Sequence, residues 1–355
     1  MSKAHDGPIT DNLGAAGAPT RVTPAARRRL EDLDDYDTGF YPRVYRKRLA
    51  EAKGPFTAAS EYDAATVHYE AASPLIGTAV HAHHHIREDI QPKLALGAAE
   101  RFYEEDPETH RFLGRLLHNV LPNQSRYEFD INRPPDTTVY TKPSLAWGAQ
   151  VWKPEEPLNQ YEREFSLEKW YEFHTLMDCA VEDAISRFGF AVVFDFHSYN
   201  YQRKGYTDWR TDDKPVINVG TRHLNLDQRG QEIKESVVES LRGHTVLGEE
   251  ALVQENGVFY GGYLNRRLSH LYGNKVVTLS VEYKKVYMDE RTGELYEDVT
   301  RDLVAQMDDT IVSLADHLGV PVRDRSVVPE LSAGAHVPPA RDIAGTWPEA
   351  PLVEA

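Results

Sequence analysis

Three short apolar runs stand out along the chain, and polar side chains follow each of them. The runs are Leu75 to Val80, Ala191 to Phe196 and Val276 to Val281. Unbroken apolar runs of this length are typical of strands buried on both faces of a sheet. Histidines follow the first run, His197 follows the second and Glu282 follows the third. Because functional loops gather at the carboxyl ends of strands in α/β sheets, we expect these side chains to converge.

Apolar residues recur every three or four positions from about Ser166 to Phe188, which predicts a helix. Gly189 is the residue expected just past its end. Its stripe consists of Leu167, Trp170, Phe173, Met177, Val181, Ala184, Ile185 and Phe188. Further helical patterns lie near Lys93 to Tyr103, Glu232 to Leu241 and Leu303 to Leu318. The alternation of strands and helices predicts an α/β fold with a mixed, mostly parallel central sheet and helices on both faces.

The two ends of the chain differ in composition from its middle. Residues 1–20 and 328–355 are rich in small residues, polar residues and prolines without an apolar period, which predicts two flexible tails. Residues 21–327 show no internal repeat and no long linker, so we expect a single α/β domain there. Hydrophobic residues make up 41% of the chain, enough for a core of that size.

Charge and cysteine content narrow the possible chemistry. The net charge of −16 at pH 7 repels phosphate backbones, so nucleic acid is not an expected partner. The single cysteine, Cys179, cannot form an internal disulfide or a site of several thiolates, so a metal here would bind imidazole and carboxylate groups. The sequence shows neither a membrane-spanning apolar run nor a signal-peptide core, and we expect a cytoplasmic protein.

Histidines are concentrated directly after the first apolar run. The segment contains His81, His83, His84 and His85. Crowded imidazoles repel one another when protonated, and a bound cation that keeps some of them neutral relieves this repulsion. Asp195 and His197 lie two residues apart on a predicted strand and therefore point to the same face, as a metal ligand and its supporting carboxylate would. A solvated histidine turn and a core histidine are the competing interpretations.

Two further patterns suit substrate binding and proton transfer. In SRYEFDINRPP, Arg126, Asn132 and Arg133 precede two prolines, and a guanidinium beside an amide can grip a carboxylate through parallel hydrogen bonds. A surface salt bridge is the alternative for this motif. Glu282, at the end of a buried run, suits a general base beside a metal. An ion pair with one of the two lysines that follow is the alternative for Glu282.

The motifs together resemble the N-formylglutamate amidohydrolase family and, more distantly, the zinc carboxypeptidases. In chain order they are the histidine cluster, DINR, DFHS, the GGY at Gly261 to Tyr263 and SVEYKKVYMDE, within about Ser73 to Met307. The resemblance implies a zinc carboxypeptidase/phosphorylase-hydrolase-like fold. It also implies a zinc-dependent hydrolase that cleaves the amide of an N-acyl amino acid such as N-formylglutamate. Cobalt, nickel or manganese in place of zinc stays open.

The same resemblance implies the metal ligands. His81 corresponds to the leading ligand and His197 to the last. The candidates for the middle ligand are His84, Asp106 and the pair His85 and Glu88. Asp130 would accept a hydrogen bond from a metal-bound imidazole and orient it.

The resemblance finally assigns roles around the substrate. Glu282 would be the catalytic base, and Arg133, Asn132 and Arg126 would hold the substrate carboxylate, with polarisation of the scissile carbonyl as the alternative role for Arg126. Tyr263, together with the nearby Tyr260, would close over the substrate.

Two positions depart from the family pattern and leave the substrate open. His83 replaces a small residue, and Ser280 stands where glutamine is expected. The expected partner is a small N-acyl amino acid or a short peptide. A zinc carboxypeptidase-like peptidase and a non-enzymatic metal-binding relic of the same fold are the alternatives.

Overall fold

The computed structural model describes residues 42–51, 53–202, 208–210 and 213–331, and their main sheet has eight strands. The strands in chain order are β1 (Phe56–Ala59), β2 (Ala65–Tyr69), β3 (Leu75–Thr78), β4 (His118–Pro122), β5 (Ala191–Tyr199), β6 (Ile217–Gly220), β7 (Thr245–Val246), β8 (Glu249–Glu250), β9 (Val253–Glu255) and β10 (Val276–Lys284). The main sheet runs in the order β1-β2-β4-β3-β5-β10-β6-β9, and β7 pairs with β8 separately.

The pairing of the strands confirms a mixed, mostly parallel sheet. Strand β3 is parallel to β4 and to β5, and β10 is parallel to β5. Strand β6 is parallel to β9 and antiparallel to β10. At the other edge, β2 is antiparallel to both β1 and β4. The parallel centre places the ends of β3, β5 and β10 at one edge of the sheet.

Helices cover the sheet on both faces, as the sequence predicts. They are α1 (Pro42–Glu51), α2 (Ala98–Glu104), α3 (Gln160–Phe188), α4 (Gln228–Arg242), α5 (Tyr263–Tyr272) and α6 (Glu297–Leu318). Phe194 and Phe196 of β5 and Leu279 of β10 form a core with apolar side chains of α4 and α6, such as Val237 and Leu303. Side chains alternate along a strand, so Asp195, His197 and Glu282 lie on the opposite face, against which α3 and α5 pack.

Strands β5 and β10 extend further than the apolar pattern predicts. They pair in register up to Lys284, and every side chain in both is buried. His197 and Glu282 therefore lie within the strands, as direct neighbours across the ladder, rather than in the loops that follow. The rigid sheet thus fixes the backbone of both residues.

Helix α3 begins at Gln160, before the predicted start at Ser166. The apolar pattern does not reveal its first turn because that turn is polar. Asn159 caps the helix by accepting a hydrogen bond from the Glu162 N–H, and Glu162 in return accepts one from the Asn159 N–H. The predicted end is confirmed, since Gly189 follows with a positive φ of 82°.

The predicted helix near Lys93 to Tyr103 is correct only in its second half. A short 3₁₀ turn spans Gln91–Lys93, and α2 begins at Ala98. Between them, Leu94 forms a β-bridge with Trp152, and this long-range pairing holds the backbone extended.

The predicted tails fall mostly outside the described residues. This holds for residues 1–20 and for residues 332–355. Residues 328–331 are described, and there Pro329 is buried. The assignment of residues 21–327 to one domain stays a prediction. No helix in the described parts of the chain combines the length and apolar character needed to cross a bilayer.

A buried ion-pair network connects the histidine segment to the DINR segment. Arg87 donates to Glu128 Oε1 at 2.8 Å, to Ser166 Oγ at 2.6 Å and to the Glu162 carbonyl at 2.7 Å. Lys169 Nζ lies 3.3 Å from the same Glu128 oxygen. All of these side chains are at most one tenth exposed. The network therefore fixes the segments that carry the candidate site.

We expect Arg87→Met to lower the free energy of unfolding by about 3–5 kcal/mol, because it leaves a buried carboxylate with fewer donors. Urea denaturation followed by circular dichroism measures this change. Arg301→Met is the matched control, since Arg301 pairs with Asp298 in solvent and such pairs contribute about 0–1 kcal/mol. Equal losses in the two variants would contradict a structural role for the network.

Candidate active site

The structure brings together His81, Asp106 and His197, three of the predicted site residues. Asp106 Oδ2 lies 3.1 Å from His81 Nδ1 and 3.0 Å from His197 Nδ1. All three side chains are buried, and one potential ligand atom of each lies within 4.8 Å of the others. His81 follows β3, Asp106 follows α2 and His197 lies in β5. The site therefore forms where these elements meet at the edge of the sheet.

A carboxylate lies beside the Nε2 atom of each of the two histidines. Asp130 Oδ1 lies 2.8 Å from His81 Nε2, and Asp195 Oδ2 lies 3.0 Å from His197 Nε2. Both aspartates are fully buried. Metal-binding histidines in proteins typically have their second ring nitrogen held in this way, which fixes the ring orientation.

The donor set fits a divalent cation of the zinc type. Each imidazole has a carboxylate oxygen at both of its nitrogens, yet a neutral imidazole has only one N–H to donate. A cation at the two Nδ1 atoms and Asp106 Oδ2 would leave each Nε2–H to donate, from His81 to Asp130 and from His197 to Asp195. It would also balance the excess of buried negative charge. Two imidazoles and one carboxylate are a common zinc ligand set.

Electrostatics within the trio reflect the close contact between acid and base. Burial alone would raise the pKa of Asp106, but hydrogen bonds from His197 and His81 outweigh it and hold that pKa well below its usual range. Burial alone would lower the pKa of His197, but Asp195 and Glu282 outweigh it and raise that pKa well above its usual range. The site thus attracts positive charge strongly, whether from protons or from a metal.

Glu282 lies beside His197 of the trio on the neighbouring strand. It is the direct neighbour of His197 across the β5–β10 ladder and is 8% exposed. Burial raises the pKa of Glu282 to about 7; His197 opposes this shift and Asp106 adds to it. The two lysines that follow donate to backbone carbonyls. Lys284 Nζ donates to the Trp209 carbonyl, and Lys285 Nζ donates to the Glu105 carbonyl. A carboxylate with a raised pKa suits proton transfer near neutral pH.

The other candidates for the middle ligand lie elsewhere. His84 Nδ1 bonds to Glu105 Oε2, and the His84 ring packs on Phe102. Ser125 Oγ donates to the second oxygen of the same Glu105. His85 is half-buried and Glu88 is exposed. The geometry therefore favours Asp106 as the middle ligand, and the ligand roles themselves stay predictions.

The two arginines of the candidate carboxylate site share one acidic partner. Arg126 Nη2 donates to Asp130 Oδ2 at 2.8 Å, and Arg133 Nε lies 4.0 Å from the same oxygen. Arg133 keeps about a third of its side chain exposed, at 32%. Because the other oxygen of Asp130 contacts His81, this aspartate links the arginines to the metal-type trio.

Asn132 and Tyr263 meet at the start of α5. Asn132 Oδ1 accepts a hydrogen bond from the Leu264 N–H at 3.1 Å. A Cβ at Gly262 would lie 2.1 Å from the Asn132 side chain, so this close approach requires glycine. Tyr263 packs against the rings of both Trp170 and His174 of α3. The GGY motif thus places α5 against the DINR segment.

The apolar pattern predicts only a core position for Trp170, and no sequence motif indicates a role for His174. Trp170 Nε1 donates to the Arg133 carbonyl at 3.0 Å, and His174 Nε2 bonds to the Ile131 carbonyl at 3.1 Å. Burial lowers the pKa of His174 well below its usual range, which keeps this ring neutral. Trp170 and His174 lie one helical turn apart, and this pair of rings with polar atoms is the sequence feature that could have indicated their shared contact. They hold the backbone on both sides of Asn132.

Comparisons with known proteins identify a matching family and similar solved structures. The family model for N-formylglutamate amidohydrolase matches residues 73–288. Among solved structures, the N-formylglutamate amidohydrolase from Ralstonia eutropha JMP134 has a TM-score of 0.56 and 17% identity, and covers 72% of this chain and 99% of that chain. A metallo-carboxypeptidase from Burkholderia cenocepacia has a TM-score of 0.35 and 13% identity, and covers 77% of this chain and 68% of that chain. The comparison with curated proteins gave no match.

The family match spans more than half of the chain and contains every residue of the candidate site. It confirms the resemblance that the order of the sequence motifs indicated. The chain belongs to the N-formylglutamate amidohydrolase family.

Proposed function

We propose that this protein is a zinc-dependent amidohydrolase that cleaves the amide of an N-acyl amino acid such as N-formylglutamate. The observation that carries the proposal is the buried trio of His81, Asp106 and His197, with Glu282 beside it. Membership of an amidohydrolase family supports the reaction class.

His81 Nδ1, Asp106 Oδ2 and His197 Nδ1 are the atoms that would hold the zinc. When bound with three protein ligands, zinc supplies acidity to a water molecule and polarises the scissile carbonyl. Asp130 accepts a hydrogen bond from His81 Nε2, and Asp195 Oδ2 lies 3.0 Å from His197 Nε2, so a carboxylate at the second nitrogen of each ring keeps Nδ1 directed to Asp106.

Glu282 would act as the general base and then as the general acid. Its carboxylate takes a proton from the attacking water and delivers that proton to the amide nitrogen as the C–N bond breaks. Burial on the sheet holds the carboxylate in one place.

The DINR segment would bind the carboxylate of the substrate. Arg133 is partly exposed and Arg126 lies against the same Asp130, so both guanidinium groups are directed to one region. Fixing the substrate there places its amide carbon at a constant distance from the trio, which is how positioning accelerates a reaction. Polarisation of the scissile carbonyl by Arg126 remains the alternative role for that residue.

The substrate is proposed to be a small N-acyl amino acid or a short peptide, in the cytoplasm. The presence of both Glu282 and Arg133 argues against a non-enzymatic metal-binding relic. The substrate carboxylate and the amide are the groups that the site residues recognise. A carboxypeptidase-like activity on peptides is therefore an outcome that the test has to separate.

Elemental analysis of the purified protein and an assay of N-formylglutamate hydrolysis on the same sample test the proposal. We expect about one zinc per chain, the stoichiometry of a site with three protein ligands. Removal of the metal by a chelator should abolish hydrolysis, and zinc should restore it. Cobalt, nickel and manganese are compared in the same reconstitution.

Parallel assays with N-acetyl amino acids and short peptides separate the substrate classes. Turnover of peptides without turnover of N-formylglutamate would favour the peptidase. Failure to bind any of these metals, even on reconstitution, would contradict the proposed function.

A further inference from the structure

The indole of Trp147 faces both arginines of the candidate carboxylate site. The guanidinium carbon of Arg126 lies 4.6 Å from the ring centroid, and that of Arg133 lies 5.2 Å from it. Both distances are within the ~6 Å over which the face of an aromatic ring attracts a cation. The sequence motifs give no indication of this contact, because Trp147 lies beyond the two prolines that end the DINR motif.

The backbone at Trp147 is unusual for a bulky residue. Its φ is 51°, and Gly148 follows with a φ of 96°. Side chains with a Cβ rarely adopt this left-handed region, and such positions cluster at functional sites. Hydrogen bonds from the Gly148 N–H to the Pro143 carbonyl and from the Ala149 N–H to the Ala146 carbonyl, both 2.8 Å long, hold the turn. The turn thus presents a partly exposed indole to the arginines.

Two neighbouring guanidinium groups need compensation for their mutual repulsion. Asp130 provides one compensating charge, and its two oxygens also serve His81 and the Tyr140 hydroxyl. The negative face of the Trp147 ring provides a second favourable electrostatic contact. Tyr140 packs edge-on against the same indole, with 6.0 Å between the ring centroids. The Trp147 indole therefore contacts both guanidinium groups without occupying their hydrogen-bond donors.

We propose that Trp147 is a positioning residue that holds Arg126 and Arg133 as a pair for binding the substrate carboxylate. This inference rests on the part of the proposed function that assigns the two arginines to carboxylate binding. The indole itself occupies none of the guanidinium N–H groups, so those that do not donate to Asp130 or Tyr140 stay available for an anion. Its loss should weaken substrate binding and leave the chemical step largely intact, because Glu282 and the histidine trio remain in place.

The test compares Trp147→Leu with Trp147→Phe. Leucine fills part of the space without a π face, whereas phenylalanine keeps such a face. We expect the leucine variant to raise the KM for N-formylglutamate on the order of tenfold while kcat changes less than about threefold. The phenylalanine variant should stay within about threefold of the wild-type KM.

A binding measurement makes the test independent of turnover. Isothermal titration calorimetry with glutarate, a dicarboxylate without a scissile amide, gives the affinity of the carboxylate site directly. The Kd for glutarate should rise in the leucine variant and recover in the phenylalanine variant. Trp152→Phe is the control, since Trp152 is buried in the adjoining apolar cluster and should leave the glutarate Kd unchanged. Thermal denaturation confirms that each variant is folded.

The outcomes distinguish this inference from the proposed function. Equal weakening of glutarate binding by leucine and phenylalanine, or no weakening by either, would overturn it. Failure of the wild-type protein to bind glutarate would overturn it as well. Intact glutarate binding with the expected variant pattern, but no hydrolysis of N-formylglutamate, would support the role of Trp147 and contradict the proposed reaction.

Discussion

Replacing Glu282 by glutamine is expected to lower kcat by about 10²–10⁴-fold, the range that general acid–base catalysis contributes. Glutamine has nearly the same shape but cannot accept the proton of the attacking water. The side chain lies beside His197 in the sheet, and burial raises its pKa to about 7. We expect the metal content of the variant to equal that of the wild type, because Asp106 and the two histidines are unchanged.

Steady-state kinetics with N-formylglutamate and elemental analysis on the same preparation check this expectation. Glu250→Gln is the matched control, since Glu250 is exposed in β8 and should retain wild-type kcat. A Glu282→Gln variant with wild-type kcat would assign the base to another residue. Loss of metal together with activity would instead make Glu282 a ligand.

The sequence predicts strands β5 and β10 better than strand β6, which lies between β10 and β9. Strands β5 and β10 contain apolar runs and are buried on both faces, so their pattern is clear. Strand β6, in contrast, has four residues and includes the buried Asn218, whose Oδ1 accepts from the N–H groups of Gly257 and Val258. A polar residue satisfied by a loop distant in sequence has no local signal.

The same distinction holds within the candidate site. His197 and Glu282 follow or extend predicted strands, so local pattern was sufficient to make them candidates. His81 was distinguished from the other histidines of its cluster by the family resemblance. Asp106 was one of several candidates because its position depends on long-range contacts. Its own N–H donates to the His81 carbonyl, and Lys285 Nζ donates to the carbonyl of the preceding Glu105. No spacing rule predicts such contacts.

His84 shows that proximity in sequence to His81 and proximity in the structure can differ. It lies closer in sequence to His81 than Asp106 does. The turn after β3 nevertheless directs its ring to Glu105, which Ser125 also contacts. The Glu105 side chain thus contacts His84, whereas the Asp106 side chain contacts His81 and His197.

Asp106→Ala is expected to abolish metal binding at the concentrations used for purification and to remove activity with it. Asp106 supplies the atom that lies about equally far from both Nδ1 atoms, 3.1 Å and 3.0 Å away. Losing a residue that only supports a ligand, such as Asp130, typically costs about 10–100-fold in metal affinity or activity. Loss of a ligand should cost more, so we expect Asp130→Asn to fall between Asp106→Ala and the wild type.

Competition with a chromophoric zinc chelator gives the affinity of each variant, and His84→Gln provides the comparison that decides between the two middle ligands. If Asp106 is the ligand, His84→Gln keeps zinc affinity near the wild-type value, because His84 bonds to Glu105 and not to the trio. The opposite result, zinc lost in His84→Gln and retained in Asp106→Ala, would assign the ligand to His84. It would also require the turn after β3 to rearrange on metal binding, since the observed His84–Glu105 bond would have to break.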